Sequence, residues 1–216
     1  LMNLLKKTLS SLQKLKTEIY YKNDMSNFFH EVNDLYNKDN TFSLNDKIII
    51  ECYWDNPGYW FSLSLALNAL SASKSNCVAV VSEHKNKLNI IKRLKKLGIQ
   101  NIICLEDYFS IDQISFDIEK IESEEDLLQI KLPLGFSTNL LYDEFCRYQN
   151  SPYVQIEHNS FKKKFYTYLK VILASEKIFK QFKPKYHLTS HNVGVYYGSL
   201  ANAAIRNKSK ILTLYI

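Results

Sequence analysis

Three short apolar runs decide the fold: "KIIIECYW" (residues 47–54), "CVAVVS" (77–82) and "IQNIICL" (99–105). Each is too short for a core helix and is rich in Ile, Val and Cys, as strands buried on both faces are. Between them lie "YWFSLSLALNALSAS" (59–73) and "KLNIIKRLKKLG" (87–98), which read as helices. Gly98 stands where a helix end asks for left-handed backbone. The alternation is βαβαβ, and it predicts parallel strands joined by right-handed crossovers.

Outward from this block the pattern resumes. Residues 106–126 are strongly acidic and read as a solvated connection, with Ser123 capping a helix start before Glu124 and Glu125. "LGFSTNLLYDEFCRY" (134–148) is helical, with Ser137 as its cap and Leu140, Leu141 and Phe145 on its apolar side. From about Ser160 to Lys183 runs a long amphipathic helix, with Phe161, Phe165, Tyr168, Ile172, Phe179 and Phe182 on one side, ended by Pro184. "KYHLTS" (185–190) is a fourth strand, 194–207 a helix and "KILTLYI" (210–216) a fifth strand. At the other end, Leu5, Leu9, Leu12, Leu15 and Ile19 recur at helical spacing within 3–22. The organisation expected is therefore an amphipathic helix and connecting segment (1–46), followed by a doubly wound, mostly parallel, Rossmann-like α/β domain (47–216). Ending on an apolar strand, the chain reads as one truncated before a further domain.

The bulk numbers bound the function classes. A chain of 216 residues with 46% hydrophobic and 23% charged residues is a folded protein. The net charge is +6, but the lysines are scattered, the densest cluster being Lys162–Lys164, and no RNP-like, zinc-finger or helix-turn-helix pattern occurs. Nucleic acid is not expected as a partner. Cys52, Cys77, Cys104 and Cys146 are widely spaced with no CxxC, which argues against a metal site and for a reducing, cytoplasmic setting. No 18-residue apolar run and no signal-peptide core is present. The first helix suits packing on the domain or a partner, or peripheral contact with the inner face of a membrane.

In doubly wound sheets ligands bind at the carboxyl ends of the strands. Two loops therefore matter most: "YWDNPGYW" (53–60) after the first strand and "SHNVGVYYG" (190–198) after the fourth. The first is neither GxGxxG nor a P-loop, so no dinucleotide or other cofactor is expected. Asp55, Asn56 and Gly58 between Tyr53, Trp54, Tyr59 and Trp60 suit a hydroxyl-rich ligand, with polar groups for sugar edges and rings for CH faces. They suit a turn and helix cap as well. Glu83-His84, after the second strand, is a weaker candidate. In the other loop, Ser190, His191 and Asn192 open a helix; His191 could orient or deprotonate a hydroxyl, and Asn192 is a natural cap. Tyr142 and Arg147 could reach a ligand if their helix borders the cleft.

Two stretches carry a resemblance. "LGFSTNLLYDEFCR" (134–147) resembles a "GIxIGDLIYDxYLR" segment, and "KPKYHLTSHNVGVYYGSLANAAIRNKSKILTL" (183–214) resembles a "KPDxxxxSHxxYxxYGxLARxALxxGxPV" segment. Both segments belong to bacterial surface-polysaccharide (capsule and O-antigen) biosynthesis proteins that look like GT-B glycosyltransferases. Ser190, His191, Tyr196 or Tyr197, Gly198, Tyr142, Asp143 and Arg147 fall on the pattern. Phe136–Asn139 replace the usual Gly-Asp pair, Asn202 the usual Arg, and Asn207 with Lys208-Ser209 the Gly that ends the last helix.

The resemblance implies the amino-terminal, acceptor-side half of a GT-B fold. Its donor, a nucleotide sugar, would be held by a missing carboxyl-terminal domain, and its acceptor would be a saccharide or lipid-linked saccharide. His191 would act on the acceptor hydroxyl, with Asp55, Asn56, Gly58, Ser190, Asn192, Tyr196, Tyr142 and Arg147 binding substrate and no metal required. The alternative is a non-catalytic, flavodoxin-like or sugar-binding module. Whether Asp55 or His191 serves as a base stays open at this level.

Overall fold

The structure, a computed structural model, describes residues 46–69, 73–109, 116, 118–191 and 193–214. The helix expected over 3–22 lies outside the described residues.

Five strands form one sheet: β1 (Ile48–Glu51), β2 (Cys77–Val81), β3 (Asn101–Cys104), β4 (Tyr186–Thr189) and β5 (Lys210–Thr213). Their order is β3-β2-β1-β4-β5 and every pairing is parallel, which is compatible with a Rossmann-like fold. The helices are α1 (Pro57–Ala69), α2 (Lys87–Lys96), α3 (Glu124–Gln129), α4 (Thr138–Gln149), α5 (Phe161–Phe182) and α6 (Gly194–Arg206). The strands expected from the apolar runs all form, each shorter than its run.

Side-chain alternation along the strands explains the layering. Ile48 and Ile50 face α1 and α2, where they join Ala79, Val81, Trp60, Leu63, Leu67, Ile90 and Leu94. Ile49 faces the other way and joins Val78, Val80, Phe165, Leu169, Ile172, Phe179, Leu200 and Ala204 from the side of α5 and α6. Each fully buried Ile, Leu or Phe contributes about 1.5–3 kcal/mol, so the central strands are held from both faces.

The helix ends show where local chemistry acts. Gly98, at φ +83°, closes α2 with its N–H donating to Lys95 and the Ile99 N–H to Leu94, both at 3.0 Å, the Schellman pattern. Ser123 caps α3 in a full capping box with Asp126. Ser137 precedes α4 but its side chain caps nothing. At the end of α6 it is Lys208, not Asn207, that takes the left-handed conformation, at φ +58°. Asn207 stays nearly helical because its side-chain amide donates to the Ala203 carbonyl at 2.8 Å and to Glu176 Oε2 at 3.3 Å.

Candidate functional site

β1 and β4 are neighbours, yet the chain leaves β1 for α1 on one face and β4 for α6 on the other. Their carboxyl ends therefore splay apart around a crevice, the position where open α/β sheets take ligands. A cavity of about 250 Å³ opens there, lined by Glu51, Tyr53, Trp54, Asn56, Tyr59, Ser190, His191 and Tyr197. A second cavity of about 520 Å³ shares Tyr53, Trp54, His191 and Tyr197 with it and extends to Arg147, Lys164 and Tyr196. Together they form one cleft spanning both loops singled out from the sequence.

The centre of the cleft is a carboxylate the apolar pattern conceals. Glu51 ends β1 and is only 1% exposed. Its Oε1 accepts from the Ser190 N–H at 2.6 Å, the Thr189 hydroxyl at 2.7 Å, the Ser190 hydroxyl at 3.1 Å and the His191 N–H at 3.4 Å. One oxygen thus organises the whole turn after β4. The Ser190 Oγ in turn lies 2.7 Å from His191 Nδ1. Behind Glu51, its Oε2 sits 3.6 Å from Nε2 of His187, a β4 histidine with no solvent exposure. All the hydrogen bonds of the Glu51 carboxyl group are thus on Oε1, while Oε2 and both His187 ring nitrogens are buried without one.

Aromatic side chains build the walls. Tyr53 meets Tyr196 and Tyr197 edge-on, with centroids 5.7 and 5.2 Å apart. The His191 ring lies 5.2 Å from Tyr197 and 6.3 Å from Trp54. Trp54 is 60% exposed, so it offers a flat apolar surface at the mouth. Tyr59 donates its hydroxyl to the Glu51 carbonyl, which ties α1 to the end of β1. Burial pushes the Tyr53, Tyr59 and Tyr197 phenols well above their ordinary range and Tyr196 up to about 12. They are neutral near pH 7 and act there as hydrogen-bonding groups rather than bases.

The residues expected from the sequence divide between cleft and scaffold. Ser190 and His191 lie in the cleft, Tyr196 and Arg147 line its larger part, and Asn56 lines the smaller. Asn56 is also the cap of α1, its Oδ1 accepting the Gly58 N–H at 2.8 Å, so that pair fixes the loop's shape. Asp55 lines an adjoining depression that shares Trp54 and Asn56 with the smaller cavity. Its carboxylate is taken by Arg93 Nε at 2.6 Å and Trp60 Nε1 at 3.0 Å, a stitch between α1 and α2. Tyr142 donates to Glu124 at 2.7 Å, and this bond first, with partial burial, pushes its phenol up to about 12. Five residues from Arg147 on one helix, it points about 140° away from it. Asn192 lies outside the described residues.

Glu51, His187 and Lys164 were not singled out as site residues by the sequence. The signal for the first two was available: an ionisable residue inside a strand buried on both faces must be paired. Lys164 belongs to the densest lysine cluster, and its ammonium sits 4.4 Å above the Tyr148 ring where it lines the larger cavity. Among the described residues no group of three or more His, Cys, Asp or Glu could hold a metal ion, and no helix is long and apolar enough to cross a membrane. No protein-family model, curated protein or solved structure matches the chain significantly.

Proposed function

We propose that the cleft binds a hydroxyl-rich saccharide and that the chain is the acceptor-side domain of a glycosyltransferase of bacterial surface-polysaccharide synthesis. The observation that carries this reading is His191, held by Ser190 and Glu51 and set between the rings of Trp54 and Tyr197 at the carboxyl ends of β1 and β4. Flat rings suit the CH faces of a sugar, and the polar groups between them suit its hydroxyls. In the reaction an acceptor hydroxyl oxygen bonds to the anomeric carbon of a nucleotide sugar. The bond from that carbon to the diphosphate oxygen breaks, and His191 takes the hydroxyl proton. The donor would be held by a further domain, and the chain would work in the cytoplasm at the inner face of the membrane.

Saturation-transfer NMR of this chain with a panel of mono- and oligosaccharides tests the binding step. Binding that Trp54→Ala and His191→Ala weaken at least about tenfold, the equivalent of 1.4 kcal/mol, supports the reading. Failure of every saccharide to bind removes it. Turnover is tested on the full gene product, by release of nucleoside diphosphate from a nucleotide sugar. There His191→Ala should slow the reaction about 10²–10⁴-fold, the usual worth of a positioned base. Saccharide binding with no turnover would instead favour a non-catalytic sugar-binding module.

A further inference from the structure

We infer that Glu51, backed by His187 in the core, fixes the neutral His191 ring with its proton on Nδ1 and leaves Nε2 as the bare acceptor. Glu51 and His187 thereby act as positioning residues, not as catalytic ones. The argument is a count of protons. Glu51 Oε1 receives the N–H groups of Ser190 and His191, which take up its two lone pairs, so any carboxyl proton sits on Oε2 and Oε1 only accepts. The Ser190 hydroxyl, 3.1 Å from the same oxygen, must then be the donor of that contact. A serine has one hydroxyl proton. With it committed to Glu51, the 2.7 Å contact between Ser190 Oγ and His191 Nδ1 requires the proton to come from the ring. In a neutral imidazole the other nitrogen is then unprotonated.

Behind the carboxylate its inner oxygen meets His187 without a hydrogen bond. Glu51 Oε2 and both His187 ring nitrogens have no hydrogen-bond partner, and the Oε2–Nε2 separation of 3.6 Å makes each the other's polar neighbour. The Phe179 ring lies edge-on to His187 at 5.7 Å and walls off the far side. Apolar residues at these two positions would avoid the desolvation cost of such a pair. What the pair supplies is a carboxylate with one oxygen turned inward and the other aimed at the β4 turn. There Thr189 Oγ1 also accepts the His191 N–H at 3.1 Å, so backbone and ring of His191 are set together.

The inference deepens the glycosyltransferase reading, which needs an acceptor nitrogen in the cleft, but its test requires no saccharide. The chain labelled with ¹⁵N-histidine is examined by long-range ¹H–¹⁵N correlation at a pH where its imidazoles are neutral. His191 is identified among the five histidines by its absence from a His191→Gln spectrum. The wild type should carry the His191 proton on Nδ1. Ser190→Ala should return it to Nε2, the form an unconstrained histidine prefers. Glu51→Ala, which frees the Ser190 proton, should do the same. Glu51→Gln should keep the wild-type form, because its amide oxygen can replace Oε1 among the same donors. A wild-type proton on Nε2, or a Ser190→Ala variant with the wild-type tautomer, overturns the inference. Should Glu51→Ala fail to fold, Ser190→Ala at its half-exposed position decides alone. A His191 in the expected form with no saccharide bound would sink the proposed function and leave this inference standing.

Discussion

Thr189 and Glu51 end two adjacent parallel strands, and the Thr189 hydroxyl donates to Glu51 Oε1 at 2.7 Å. The same oxygen of Thr189 accepts the His191 N–H, so one hydroxyl couples the carboxylate to the turn it organises. Thr189→Val keeps the shape and removes both bonds together with the hydroxyl's contact to the His191 carbonyl. It should cost about 1–3 kcal/mol, since it leaves a buried acceptor short of a donor. Urea unfolding measures the loss, and faster hydrogen exchange at the His191 amide should accompany it. An unchanged midpoint would mean that the remaining donors on Oε1 suffice.

Asp55 is expected to show a stability effect before any effect on ligands. Asp55→Ala breaks the contacts to Arg93 and Trp60 that join α2 to α1, at an expected cost of about 1–3 kcal/mol. Thermal unfolding of Asp55→Ala and Arg93→Ala, alone and combined, should give a double variant less damaged than the sum, because the two share one contact. A stable Asp55→Ala protein that no longer binds saccharide would return Asp55 to the cleft.

Strand and helix positions were legible because their signals are local. The run around Ile48–Ile50 can only be a strand, and Gly98 and Pro184 mark helix ends by backbone chemistry alone. The two loops of the cleft were legible too, since ligand loops follow strands in a sheet of this class. Hidden were features that depend on pairing. Glu51 and His187 lie far apart in the chain, and only the adjacency of β1 and β4 makes one the partner of the other. Asp55 shows the same dependence from the other side. Its loop position suits a ligand, while the guanidinium that occupies it comes from α2. At Asn207 the local preference for left-handed backbone lost to a side-chain bond with Ala203 and Glu176.

Gly194 shows how closely α4 approaches the start of α6. Its φ is +70°, and a Cβ there would press into the Glu144 carboxylate, whose Oε2 accepts the Val195 N–H at 3.3 Å. Gly194→Ala should therefore lose about 1–2 kcal/mol from backbone strain alone, and more from the collision. Adding Glu144→Ala should relieve the collision and leave the backbone share, so the two substitutions should be clearly non-additive in thermal unfolding. Full additivity would show that the carboxylate simply moves aside.

Alkaline pH should destabilise the protein earlier than its ordinary side chains alone would suggest. Burial pushes the Cys77 thiol up to about 12 and raises Cys52 further, and it holds the Tyr53 and Tyr59 phenols well above their usual range. These groups keep their protons when folded, whereas the unfolded chain releases them near the ordinary values of 9.0 for a thiol and 10.0 for a phenol. Above those values the unfolded state binds fewer protons, so stability falls as pH rises. The loss should begin as the pH approaches 9.0 and steepen through 10.0, with full stability retained below that window. Urea midpoints measured across it test the sign, and a flat profile would mean that the core admits enough water to ionise these groups in place. The same burial predicts the order of thiol alkylation at mildly basic pH: Cys146, half-exposed on α4, should react with iodoacetamide before Cys52 and Cys77. Mass spectrometry of the partly labelled chain reads that order directly, and early labelling of Cys52 would show the core beneath α1 opening to solvent.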